Sequence, residues 1–154
     1  LKALAFARAV EKQRPLIVLA DDSGLEVDAL DGAPGIHSAR YAFGSDADRL
    51  SVLLAHLDGV AWEQRTARFR CVVAIAVPPT GRAEATPALY TTTGMCEGII
   101  ATASAGAGGF GYDPVFYLPE FGCTMAELPA ETKNRISHRA RAVQAALPIL
   151  QQWL

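Results

Sequence analysis

A chain of 154 residues, 51% hydrophobic and 19% charged, has the composition of an ordered globular domain and can bury about two-thirds of its unfolded surface. Its formal net charge of −2 excludes bulk attraction to nucleic acid or an anionic membrane, so any anion site has to be local. Three scattered cysteines, Cys71, Cys96 and Cys123, match neither a disulfide framework nor a zinc spacing, and no membrane span or secretory signal is visible, which suits reduced thiols in a cytoplasmic compartment.

Residues 1–11 are Ala-rich and read as the tail of a helix. Residues 16–20 form a short apolar run, predicting a buried strand that ends in Asp21-Asp22-Ser23-Gly24. Residues 25–30 alternate apolar and acidic side chains, predicting a second, half-exposed strand before the turn chemistry of 31–35. Ser45 is placed to cap a helix with Asp46 and Asp48 in its first turn and Leu50, Leu53, Leu54 and Leu57 on one face. Residues 66–77 are the clearest strand, with Phe69, Cys71, Val73, Ile75 and Val77 on one side, and 90–100 should pair with it. A small-residue loop at 103–111, a short strand at 115–118 and a C-terminal helix from Ser137 follow, with Pro148 expected to kink its last turn. This order predicts a single α/β or α+β domain over residues 1–154.

Three segments carry chemistry. Asp21 and Asp22 at a strand end can hold Mg²⁺ or act as a base on water; in extended backbone they point opposite ways, so one faces a site and the other is structural. The plain alternative is an Asx-type turn. Gly108-Gly109-Phe110-Gly111-Tyr112-Asp113-Pro114 lacks the ending of a Walker A loop, but its glycines allow close backbone approach and Phe110 can stack on a planar base, whereas Tyr112 and Phe116 read as core plugs. Lys133, Arg135, His138, Arg139 and Arg141 crowd cationic or titratable groups around an expected helix start, where they are unfavourable unless an anion such as phosphate sits among them. Asp28, Asp31, Asp46, Asp48 and Glu131 read as turn, cap or surface groups, and His37 and His56 have no metal partners.

Read together, Ala20-Asp21-Asp22-Ser23-Gly24-Leu25, residues 32–41 (GAPGIHSARY), Gly109-Phe110-Gly111-Tyr112-Asp113-Pro114 and residues 133–139 (KNRISHR) resemble the inosine triphosphate pyrophosphatase family in order and spacing. The resemblance implies an α/β fold with a long mixed β-sheet flanked by helices, two lobes with a nucleotide cleft between them, and a cytoplasmic homodimer. It implies Mg²⁺-dependent hydrolysis of ITP, dITP and XTP to the monophosphate and pyrophosphate. Carried over by motif, Asp22 is the catalytic carboxylate and metal contact. Ser23 lies beside the nucleotide, Phe110 stacks on the purine, Gly111, Tyr112 and Asp113 complete that wall, and Lys133, His138 and Arg139 contact base and phosphates.

The chain departs from the family pattern at its start. The expected opening strand, the phosphate loop and a metal-binding Glu are absent from the sequence, and Phe6 stands where a phosphate-contacting Lys is expected, with Lys2 one helical turn away. The alternative is therefore a truncated, catalytically impaired homologue that binds purine nucleotides or only dimerises. A haloacid-dehalogenase-type phosphatase is disfavoured, because Asp21-Asp22-Ser23 lacks the Asp-x-Asp nucleophile spacing.

Overall fold

The computed structural model describes residues 16–79 and 87–153; the helix expected before residue 11, with Lys2 and Phe6, lies outside them. Among the described residues six strands form one sheet in the order β2-β1-β3-β4-β5-β6. They are β1 (Val18–Val27), β2 (Pro34–Gly35), β3 (Thr66–Val77), β4 (Ala88–Ile100), β5 (Phe116–Leu118) and β6 (Cys123–Thr124). Among the described residues three α-helices accompany the sheet in an α/β fold: α1 (Asp46–His56), α2 (Ala130–Ile136) and α3 (His138–Gln151). Every strand pairing among the described residues is antiparallel, so the mixed sheet expected from the resemblance narrows there to an antiparallel one.

The two strands expected at 16–20 and 25–30 are one. β3 pairs with β1 continuously from Val18↔Ala76 to Val27↔Ala67, so the backbone of Asp21-Asp22-Ser23-Gly24 finds a ladder partner and the polar side chains do not end the strand. Side-chain alternation along β3 is as the sequence predicts: Phe69, Cys71, Val73, Ile75 and Val77 are all buried. Val73, Ile75 and Val77 pack with Cys71 under Ala142 and Ala146 of α3. Phe69 belongs instead to the main core with Leu25, Val27, Leu53, Leu57 and Phe116. One face of the sheet is thus covered in two patches, by α3 at one end and by α1 and the loops at the other.

Local chemistry sets the helix ends. Ser45 and Asp48 form a reciprocal capping box at the start of α1, with Ser45 N–H donating to Asp48 Oδ2 (2.6 Å) and Asp48 N–H to Ser45 Oγ (3.3 Å). The C-terminal cationic segment is not one helix start but spans a break. Lys133 and Arg135 lie in the last turn of α2, where cations are favourable, and Ser137 is extended and caps α3 by accepting from the Ala140 N–H. α3 continues through Pro148 to Gln151. It approaches the sheet over Gly94, where any Cβ would run into the His138 carbonyl oxygen and the Ala142 amide nitrogen.

Candidate nucleotide site

Between the two coverings of the sheet lies a cleft of about 200 Å³. It is lined by Ser23 of β1, Phe69 of β3, Asp46 and Arg49 of α1, the loop from Phe110 to Asp113, and His138 and Arg139 at the start of α3. A second hollow of about 580 Å³ opens beyond Phe110 toward Lys133, Asn134 and Leu128. Phe110 therefore stands as a partition between the two, 61% exposed. An aromatic ring left that open near an apolar-floored cleft is positioned for stacking.

Two cations flank the ring. Lys133 Nζ lies 4.7 Å and Arg139 Cζ 5.4 Å from its centroid. Each is held by a carboxylate: Lys133 Nζ by Asp113 at 2.5 Å, and Arg139 Nε by Asp21 at 2.9 Å. The Asp21–Arg139 pair is exposed and so contributes little to stability, but it holds the guanidinium over the cleft. Asp113 is buried and also accepts the Phe110 N–H at 2.8 Å, which makes it the internal brace of the glycine-rich loop.

His138 is only 7% exposed and stacks on Phe69, ring centroids 4.7 Å apart. Burial, with the adjacent Arg139 charge second, depresses its pKa to about 4, so the imidazole is neutral near pH 7. Its Nδ1 and the Ser23 Oγ are buried without a hydrogen-bond partner among the described residues, and both residues line the cleft. Two unsatisfied polar atoms at one apolar floor are the pattern a polar ligand completes. Tyr112 is both a core plug and part of the wall: it is buried, its O–H donates to the Ser38 carbonyl at 2.8 Å, and burial pushes its pKa up to about 12.

Asp22 is set apart from these residues. It pairs in register with exposed Val72, on the face away from Ser23. β2 pairs with β1 only at Leu25 and Glu26, so among the described residues the same edge is open from Val18 to Gly24. The Leu25 N–H points off that edge to Ser38 Oγ (2.8 Å); two residues earlier the Ser23 N–H does likewise and donates to Asp22 Oδ1 (3.1 Å). The Asp22 carboxylate thus reaches over the strand edge that borders Ser23. Among the described residues no three His, Cys, Asp or Glu side chains cluster as a metal cage.

The motif order and this arrangement agree with one lineage, and residues 1–149 match the Ham1 family. The chain belongs to the Ham1 family. The dITP/XTP pyrophosphatase of Geobacillus kaustophilus is 58% identical to it over 99% of this chain and 69% of that protein. The dITP/XTP pyrophosphatase of Desulforamulus reducens is 51% identical over 98% and 71%. Among solved structures, the Coxiella burnetii HAM1 protein superposes with a TM-score of 0.83 at 41% identity, covering 97% of this chain and 75% of that one. The Staphylococcus aureus Ham1 protein gives 0.83 at 39%, covering 99% and 76%.

In this Ham1 chain the structure adds residues that the sequence did not single out. Asp46 accepts the Gly111 N–H at 2.7 Å and pairs with Arg49, although its place in a first helical turn is fully accounted for by the helix dipole. Phe69 reads only as core, yet it is the surface on which His138 lies. Neither has a local signal, because both roles depend on contacts between distant segments.

Proposed function

We propose that this Ham1 chain hydrolyses ITP, dITP and XTP to the nucleoside monophosphate and pyrophosphate, with Mg²⁺ as cofactor. The observation that carries the proposal is the exposed Phe110 ring flanked by two carboxylate-held cations at the mouth of the cleft. Relatives named dITP/XTP pyrophosphatases, at 51% and 58% identity over nearly the whole chain, support the reaction class.

In this reading Phe110 stacks on the purine, backed by Gly111, Tyr112 and Asp113. Lys133 and Arg139 are donors with fixed positions. Hypoxanthine and xanthine offer an acceptor oxygen at C6, whereas adenine offers a donor amine, which would face these cations with both donors unpaired. Neutral His138 and Ser23 supply the unspent hydrogen-bonding atoms of the floor. The triphosphate then crosses the edge of β1 beside Ser23 toward Asp22, which acts as the catalytic carboxylate by orienting the water that attacks the α-phosphorus as pyrophosphate leaves.

The donor set fits Mg²⁺. Asp21 is committed to Arg139, while among the described residues Asp22 accepts only its neighbour's N–H and is exposed. This ion commonly takes one or two carboxylates and completes its shell with water and substrate phosphates. Asp22 would hold it, and when bound it would neutralise triphosphate charge.

No described helix is long and apolar enough to cross a membrane, and Cys71, Cys96 and Cys123 are free thiols, which supports a cytoplasmic setting. The homodimer is part of the same proposal and is tested by light scattering. The function itself is tested by pyrophosphate release from ITP and ATP with and without Mg²⁺. Metal-dependent release favouring ITP is expected; equal release from both nucleotides, or release of phosphate alone, would count against it.

A further inference from the structure

Two successive amides of the glycine-rich loop are held by carboxylates from different parts of the chain. The Phe110 N–H donates to Asp113 Oδ2 at 2.8 Å, and the Gly111 N–H donates to Asp46 Oδ2 at 2.7 Å. Gly111 has a φ of +60°, a left-handed conformation that resists a side chain and turns this amide toward α1. The other Asp46 oxygen is taken by Arg49, whose guanidinium also donates to the Gly44 carbonyl at 3.1 Å. Arg49 first, and then the Gly111 amide, hold the Asp46 carboxyl below the usual carboxylate range, so near pH 7 it is an acceptor on both oxygens. Capping does not explain this arrangement. Ser45 and Asp48 already satisfy the start of α1 between themselves.

We propose that Asp46 is a positioning residue for nucleotide recognition: by fixing the Gly111 amide to α1, it sets the angle at which Phe110 presents its ring to the purine. The proposal rests on the nucleotide reading of the cleft. Asp46, Arg49, Phe110 and Gly111 line that cleft together, so the tether joins its α1 wall to its loop wall. A charge-assisted hydrogen bond across such a joint restricts the loop before substrate arrives.

The test compares Asp46→Ala and Asp46→Asn in the full chain, with Asp48→Ala as the control that weakens the cap of the same helix. ITP hydrolysis is read as KM and kcat, and the nucleotide-free proteins are read by melting temperature and by amide hydrogen exchange at Gly111. Asp46→Ala should raise KM about tenfold, leave kcat within about twofold and speed Gly111 exchange. Asp46→Asn keeps an acceptor oxygen and should recover most of the KM and the protection. Asp48→Ala should lower the melting temperature while KM and Gly111 exchange stay put. An active wild type with an unchanged KM in Asp46→Ala, or an equal KM shift in Asp48→Ala, overturns the positioning role alone. A wild type inert toward ITP overturns the nucleotide reading on which it rests.

Discussion

The Nζ of Lys133 and the amide of Phe110 meet on the same oxygen of Asp113, at 2.5 and 2.8 Å. One buried carboxylate therefore orients both the ring and a cation beside it. Removing one partner of a buried pair leaves an uncompensated charge, and here Lys133 retains some access to solvent. Asp113→Ala should lose about 3 kcal/mol of stability, and Asp113→Asn, which keeps an acceptor for Phe110, distinctly less. Urea unfolding, read as a midpoint shift at constant slope, checks the order.

Phe110 and Asp22 should separate binding from chemistry. Phe110→Ala removes an exposed ring, so it should leave the melting temperature nearly unchanged while weakening nucleotide binding by about 1–3 kcal/mol. Asp22→Asn should abolish pyrophosphate release with ITP binding and the fold retained. Calorimetric titration with ITP distinguishes the two, and normal turnover in Asp22→Asn would remove the role assigned to that carboxylate.

Burial of His138 gives a stability change with a definite sign. Its folded pKa of about 4 lies below the ordinary histidine value of 6.5, so between these values the unfolded chain binds the extra proton. The stabilising contribution is complete above about pH 6.5 and is lost as pH falls toward 4. Unfolding measured at pH 7, 5.5 and 4.5 should show a steeper decline for the wild type than for His138→Gln. Parallel curves would contradict a buried neutral imidazole.

Gly94 is where α3 meets the sheet most closely. A methyl group there would strike the His138 carbonyl and the Ala142 amide, both backbone atoms that cannot rotate away. Gly94→Ala should therefore lift the start of α3 from β4, costing about 1–3 kcal/mol and weakening nucleotide binding together. Gly122→Ala, at a turn with a φ of +65° where a Cβ would meet only the Tyr117 hydroxyl at 4.0 Å, is the control: it should be strained locally without changing binding.

Much of the chain was legible locally. The period-two pattern of 66–77, the Ser45-to-Asp48 cap and the glycine-rich loop each follow from forces acting over a few residues, and each stands where the sequence puts it. The same local logic misjudged Asp21 to Gly24. Polar residues and a glycine signal a strand end, yet ladder pairing with β3, residues 66–77, carries β1 straight through them.

Strand faces, helix caps and the motifs that mark the family follow from the order of the residues. Which of those groups meet follows from folding. Asp21 finds Arg139 across 118 positions and Asp46 finds Gly111 across 65, while His138 is neutral because packing against Phe69 removes it from water. Periodicity and turn chemistry are written in neighbouring residues. Ion pairing and desolvation depend on strand register and on how closely α3 settles over Gly94, and those distances exist only once the chain has folded.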